Sequence, residues 1–150
     1  MISVVVPAAG SDRDLAALLS ALVPAAVDGL VREVLVADGG SSAAAAAICE
    51  DAGADVVADL AAAVRRAKGD YLLALPVSLR LRPGWDESVR RHLEDGGGPA
   101  LLVAREPGFL ERLTGPKLAG VLARTEPLAG AAPSDLAALR RHVGRAPILS

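Results

Sequence analysis

Val34-Leu35-Val36-Ala37-Asp38-Gly39-Gly40-Ser41-Ser42 is the stretch that decides the fold. An apolar, β-branched run stops at an acid and turns on two glycines. It then enters Ala43 to Ala52, a segment of high helix propensity with Ser41 or Ser42 placed to cap it. Strand, tight loop and helix follow one another without a spacer. A second run, Ile2-Ser3-Val4-Val5-Val6-Pro7, opens the chain. It is short, β-branched and stopped by proline, and reads as a buried strand over residues 2–6.

The same alternation extends outward from these two runs. Ser11-Asp12-Arg13-Asp14 has the spacing of a capping box, and Leu15, Leu18, Leu19, Leu22 and Val23 follow as one apolar helical stripe that Pro24 ends. Glu33 to Ala37, Asp55 to Ala58, Tyr71 to Leu75 and Leu101 to Ala104 read as further strands. Leu60 to Lys68, with Gly69 as its C-cap, and Trp85 to Glu94 read as helices. Pro83-Gly84 is a turn, and Gly96-Gly97-Gly98-Pro99 a flexible connection. Past residue 105 the pattern thins. It leaves a helical turn over Phe109 to Leu113, a strand over Gly120 to Ala123, a helix through Leu136, Leu139 and His142 capped by Ser134, and an edge segment at Pro147-Ile148-Leu149.

Strands alternating with helices predict an α/β fold: a Rossmann-like, mainly parallel sheet with helices on both faces and right-handed crossovers. Ligands on such sheets bind at the carboxyl ends of the strands, near a topological switch point. Pro7 to Gly10, Asp38 to Ser42 and Pro76 to Arg80 each follow a strand, so they should converge on one edge.

Composition narrows the classes. The 150 residues suggest a single domain, and with 52% apolar but only 2% aromatic residues its core must come from Leu, Val, Ile and Ala. A net charge of −2 gives the molecule no general attraction to nucleic acid. The charge is uneven: residues 1–79 carry five Lys/Arg and ten Asp/Glu, residues 80–150 eleven and eight. The basic second half either faces a diphosphate or lipid phosphate or simply carries solvated arginines. Cys49 is the single cysteine, which excludes an internal disulfide and a cysteine metal cluster and fits a reducing cytoplasm; it reads as a small buried hydrophobe. No apolar run is long enough for a transmembrane helix, and the opening run lacks the basic flank of a signal peptide.

Asp38 is the strongest candidate for chemistry. A carboxylate at a strand's carboxyl end can accept from a base N–H or a ribose hydroxyl, Gly39 and Gly40 allow close approach to the backbone, and the following helix offers N–H groups to an anion. The alternative is an acid that only closes the turn. Ala8-Ala9-Gly10 is a small-residue loop that either lies against a nucleobase or is a plain turn. Asp70 precedes its strand and so sits at the wrong end of it; His92 and His142 stand on separate helices with no second ligand at a metal-like spacing. No nucleophile elbow or Walker loop is present.

Taken in order, these blocks resemble the family 2 glycosyltransferases. The resemblance rests on Ile2–Pro7, Leu30–Ser41, Ala67-Lys68-Gly69-Asp70-Tyr71-Leu72-Leu73 and Leu81-Arg82-Pro83-Gly84-Trp85, and continues faintly into Asp135–Arg141. It implies a glycosyltransferase A-type domain over 1–150, with 1–95 the nucleotide-binding half and 96–150 a shortened acceptor-side half. It further implies that Pro7, Ala8, Asp38 and Gly39 hold the nucleotide of a nucleotide-diphosphate sugar, that Mg²⁺ or Mn²⁺ assists, and that an acid near Asp135 is the catalytic base.

Several positions depart from the family pattern. Ala43 stands where the loop after the second strand carries another acid, and the basic segment before the third helix is missing. Pro76-Val77-Ser78 replaces the acidic metal motif, so Ser78 offers one neutral oxygen where a cation wants carboxylates. The Glu-Asp pair of the base region falls on Ala132-Pro133 or Pro133-Ser134, which leaves Asp135 as the nearest acid, at a helix start that also suits a cap. Arg80, with Arg82, is the cation available to a diphosphate in place of a metal. The expected function is therefore sugar transfer with degenerate metal and base motifs. A second reading is a non-catalytic binding or scaffold protein, acting with a protein partner or as a homo-oligomer. A third is a nucleotidyltransferase, since Val6-Pro7-Ala8-Ala9-Gly10 resembles the opening loop of sugar cytidylyltransferases, although Ser11-Asp12-Arg13-Asp14 lacks their glycines and lysine.

Overall fold

Among the described residues, seven strands form one sheet in the order β3-β2-β1-β4-β6-β5-β7. The computed structural model describes residues 1–7, 11–38 and 42–149. The strands are β1 Ile2–Pro7, β2 Val31–Ala37, β3 Asp55–Val57, β4 Tyr71–Ala74, β5 Ala100–Leu102, β6 Gly120–Arg124 and β7 Ile148–Leu149. The helices are α1 Asp12–Val27, α2 Ala43–Ala52, α3 Leu60–Arg66, α4 Trp85–Glu94, α5 Phe109–Thr114, α6 Thr125–Ala131 and α7 Leu136–Val143. β1 pairs in parallel with β2 and with β4, and β2 with β3. β6 runs against both β4 and β5, while β7 is parallel to β5. The mainly parallel Rossmann-like sheet is thus present, with β6 as its reversed strand.

The strands alternate their side chains between two cores. Ile2, Val4, Val6, Leu73 and Leu75 pack with Leu15, Leu18 and Leu22 of α1, Cys49 of α2 and Trp85 and Val89 of α4. Val5, Leu35, Leu72, Ala74, Val121 and Ala123 face the other way, onto Leu60 and Val64 of α3, Leu128 of α6 and Leu139 of α7. Helices therefore cover both faces, and each fully buried leucine contributes about 1.5–3 kcal/mol. Among the described residues no helix is long and apolar enough to cross a membrane.

Several elements differ from the pattern-based expectation. Pro24 does not end α1; the helix continues through it to Val27. Ala25 beyond it is 1% exposed, so packing extends the helix, while the carbonyl left without a partner belongs to exposed Ser20, where water can satisfy it. Val23, assigned to the buried stripe, is 47% exposed; Ala25 takes the buried position beyond Leu22. α3 stops at Arg66 with Ala67 as C-cap, and Gly69 serves the strand that follows. Asp135, not Ser134, caps α7. α6 had no periodic signal in the sequence.

Gly69 explains the Ala67-Lys68-Gly69-Asp70-Tyr71 block. A Cβ there would lie 2.7 Å from the Ser3 nitrogen and 2.9 Å from the Ile2 carbonyl carbon, so only glycine lets β4 enter beside β1. Its N–H donates to Ser3 Oγ at 2.8 Å, and Ser3 Oγ donates to Glu33 Oε2 at 2.6 Å. The Lys68 N–H donates to the same carboxylate oxygen at 2.6 Å, and Thr125 Oγ1 donates to the Gly69 carbonyl at 2.7 Å. This network fixes the amino ends of β1, β2 and β4, and so sets the register with which their carboxyl ends meet.

Candidate functional site at the carboxyl edge of the sheet

Because β1, β2, β4 and β5 point the same way and β6 the opposite way, one edge collects several segments. They are the residues following β1, β2, β4 and β5 and those leading into β6. Pro7 lies opposite Ala37, half-buried at the end of β1. Asp38 follows, half-buried, its N–H donating to the Val57 carbonyl at 3.0 Å. Its carboxylate lies close enough to α2 to act on Cys49: burial first, and the negative charge of Asp38 second, push that thiol above its ordinary value of 9.0. Cys49 is 1% exposed and belongs to the core. Of the other nucleotide candidates, Ala8 and Gly39 lie outside the described residues. Ser42 caps α2, accepting the Ala45 N–H at 3.1 Å.

After β4 the chain forms a tight turn closed by the Leu79 N–H on the Pro76 carbonyl at 3.0 Å. Val77 and Leu79 are buried beneath it, and Ser78 and Arg80 are exposed. The Arg80 guanidinium donates to Asp14 Oδ1 at 2.7 Å, which ties this turn to the first turn of α1. Arg82 then pairs with Glu106 at 3.1 Å, and Arg105 with Glu111 at 3.0 Å. Three ion pairs thus link, in order, the starts of α1, of the β4 loop, of the β5 loop and of α5. All are partly exposed, so their role is to position loops more than to stabilise the fold.

Beyond Arg82 a cleft of about 340 Å³ opens between the segment after β5 and the approach to β6. Val103, Arg105, Glu111 and Lys117 are among its lining residues. No contiguous motif in the sequence marks this cleft. The net positive charge of residues 80–150 was its only trace, because the cleft is made by two segments that meet only through the reversal at β6.

Asp135 stands exposed as the N-cap of α7, its Oδ1 accepting the Ala138 N–H at 2.7 Å. His92 bonds the Gly98 carbonyl at 3.0 Å, and His142 is exposed. For a divalent cation the β4 turn provides the Ser78 hydroxyl and no carboxylate, and no group of three His, Cys, Asp or Glu side chains converges among the described residues.

Comparison with solved structures gives matches over 99% of the chain. Glucosyl-3-phosphoglycerate synthase from Mycobacterium tuberculosis, in complex with phosphoglyceric acid, matches at 21% identity and TM-score 0.69 over 69% of its own chain. The fold is glycosyltransferase A-type. The same synthase with Mn²⁺, uridine-diphosphate and glucosyl-3-phosphoglycerate matches at 20% identity, TM-score 0.67 and 69% of its chain. With Mn²⁺, uridine-diphosphate-glucose and phosphoglyceric acid the values are 21%, 0.67 and 69%. No protein-family model and no curated protein sequence matches the chain.

Proposed function

We propose that this chain binds a nucleotide-diphosphate sugar at the carboxyl edge of its sheet and acts as a family 2-like sugar transferase. Residues 1–95 form the donor half and 96–150 the acceptor-side half. Pro7, Ala8, Asp38 and Gly39 border the nucleoside, with the Asp38 carboxylate accepting from a base N–H or ribose hydroxyl. Arg80 faces the diphosphate and offsets the charge that develops on the leaving group. The cleft beside Arg105 and Lys117 receives the acceptor. The observation that carries this reading is the placement of Pro7 and Asp38 at the carboxyl ends of β1 and β2, with Arg80 beyond the turn that follows their parallel neighbour β4. The fold shared with a synthase solved with uridine-diphosphate-glucose supports it.

A second reading, donor binding without transfer, draws on Asp135. One of its carboxylate oxygens is held by the α7 cap, which weakens it as a base for an acceptor hydroxyl. Calorimetry with UDP-glucose and other nucleotide sugars, each with and without Mn²⁺, tests the donor site. Binding is expected, with Asp38→Asn at least about tenfold weaker, the loss of one charge-assisted hydrogen bond. Absence of binding by every donor removes the proposal. Release of nucleoside diphosphate with an acceptor present then separates transfer from binding alone.

A further inference from the structure

α5 buries none of its side chains. Phe109, the one phenylalanine of the chain, is 77% exposed, and Leu110 and Leu113 are 71% and 62% exposed. Their spacing puts all three on one side of the helix. Leu118, 43% exposed, continues the patch toward β6. A helix this short has no intrinsic stability in water, so its position comes from its ends. The Glu111 carboxylate accepts the Gly108 N–H at 3.0 Å and is gripped by Arg105, and Arg112 Nε donates to the Pro107 carbonyl at 3.3 Å. The apolar face is held outward by these polar contacts.

The surroundings of this face are cationic. Residues 105–118 and 136–146 carry six Lys/Arg and two acids. Both acids, Glu106 and Glu111, are ion-paired to arginines. Leu113 lines one cleft together with Arg112, Arg140 and Arg145, and Leu118 lines the adjoining cleft with Lys117. Arg140 is oriented there by its bond to the Pro116 carbonyl at 2.6 Å.

We propose that α5 and its basic surround form a docking surface for an anionic lipid bilayer, with Phe109, Leu110 and Leu113 entering the headgroup region and Arg112 and Arg145 meeting lipid phosphates and carboxylates. An exposed apolar helix face ringed by Lys and Arg is the arrangement that lies in a membrane interface. A second copy of the chain is the poorer occupant. The patch is far smaller than the roughly 20–30 residues a side of a stable dimer, and a two-fold contact would set like charges against each other. The proposal stands independently of the sugar-transfer reading.

Co-sedimentation with phosphatidylcholine vesicles, with and without about 30% phosphatidylserine, tests it. Binding is expected to be at least about fivefold greater on the anionic vesicles at low salt and to collapse as ionic strength rises toward about 0.5 M. Leu110→Ser/Leu113→Ser and, separately, Phe109→Ser should lower it about tenfold, while Val27→Ser, at an apolar residue 80% exposed at the end of α1, should not. Far-UV circular dichroism confirms that each variant is folded, which α5 permits because it contributes nothing to the core. Equal binding to both vesicle types, binding to neither, or full retention by the α5 variants overturns the proposal. So does a dimer in sedimentation velocity that needs these side chains while vesicles go unbound.

Discussion

Gly69 and Cys49 show how single residues act on elements far from them in the sequence. Gly69 has no positive φ, so alanine would be conformationally acceptable there and would even restrict the unfolded chain. Space decides otherwise, since the added Cβ meets backbone atoms of β1 at 2.7 and 2.9 Å. We predict that Gly69→Ala costs about 2–3 kcal/mol by urea denaturation, the overpacking penalty outweighing the entropy gain. A cost below about 0.5 kcal/mol would mean that β1 and β4 are not held this tightly. Cys49 is an acid whose pKa is raised in the folded state by burial and then by Asp38. Its neutral form is favoured by folding, so its contribution is complete below the unfolded value and is lost as pH rises through the folded one. The native thiol should therefore resist alkylation at pH 8, and Cys49→Ala should retain more of its stability above pH 9 than the parent. Rapid labelling of the native protein at pH 8 would contradict the burial argument.

At the scale of elements, α1 carries a proline at its thirteenth position and yet stays helical to Val27. Leu22 and Ala25 are each 1% exposed against the sheet, so tertiary packing outweighs the local penalty. An interior proline costs a helix about 3 kcal/mol relative to alanine. Pro24→Ala should therefore stabilise the domain, by about 1–3 kcal/mol once the greater freedom of the unfolded chain is deducted. No rise in the denaturation midpoint would show that the helix relieves the proline by bending. α5 is the opposite case, a helix held by its polar ends with no packing of its own. Periodicity finds α1 and α4 because their apolar stripes face a core; α6 escapes it because Pro127 and Gly130 within its seven residues read as breakers.

The whole molecule brings its chemistry together by strand direction. The parallel run β2-β1-β4 sets Asp38, Pro7 and the turn bearing Arg80 on one edge, and the reversal at β6 adds the cleft lined by Arg105 and Lys117 to the same edge. A ligand bridging these segments should stabilise the fold as a unit. UDP at about 100 times its dissociation constant is expected to add ~2.7 kcal/mol and to raise Tm by about 5–10 °C. Scanning calorimetry checks this, and an unchanged Tm at millimolar UDP would count against a donor site at this edge.

The residues alone determined the α/β alternation, the first two strand–loop–helix units, the extent of α2 and α4 to the residue, and the presence of Asp38 at a strand end. These are local properties: hydrophobic period, β-branching, a capping serine and glycine at a turn each act within a few positions. Strand order, the reversed β6 and the partners of Arg80, Arg82 and Arg105 were decided only in the tertiary structure. Residues 103–119 join β5 to β6 and are long enough for either a crossover or a return at the same edge. The chain returns antiparallel, and no local signal encodes that geometry. Asp38 at the end of β2 was legible because the apolar run that places it is contiguous. The basic cleft was not, because it is assembled from segments that only the reversal brings side by side, and the exposure of α5 was not, because it depends on what the rest of the fold leaves uncovered.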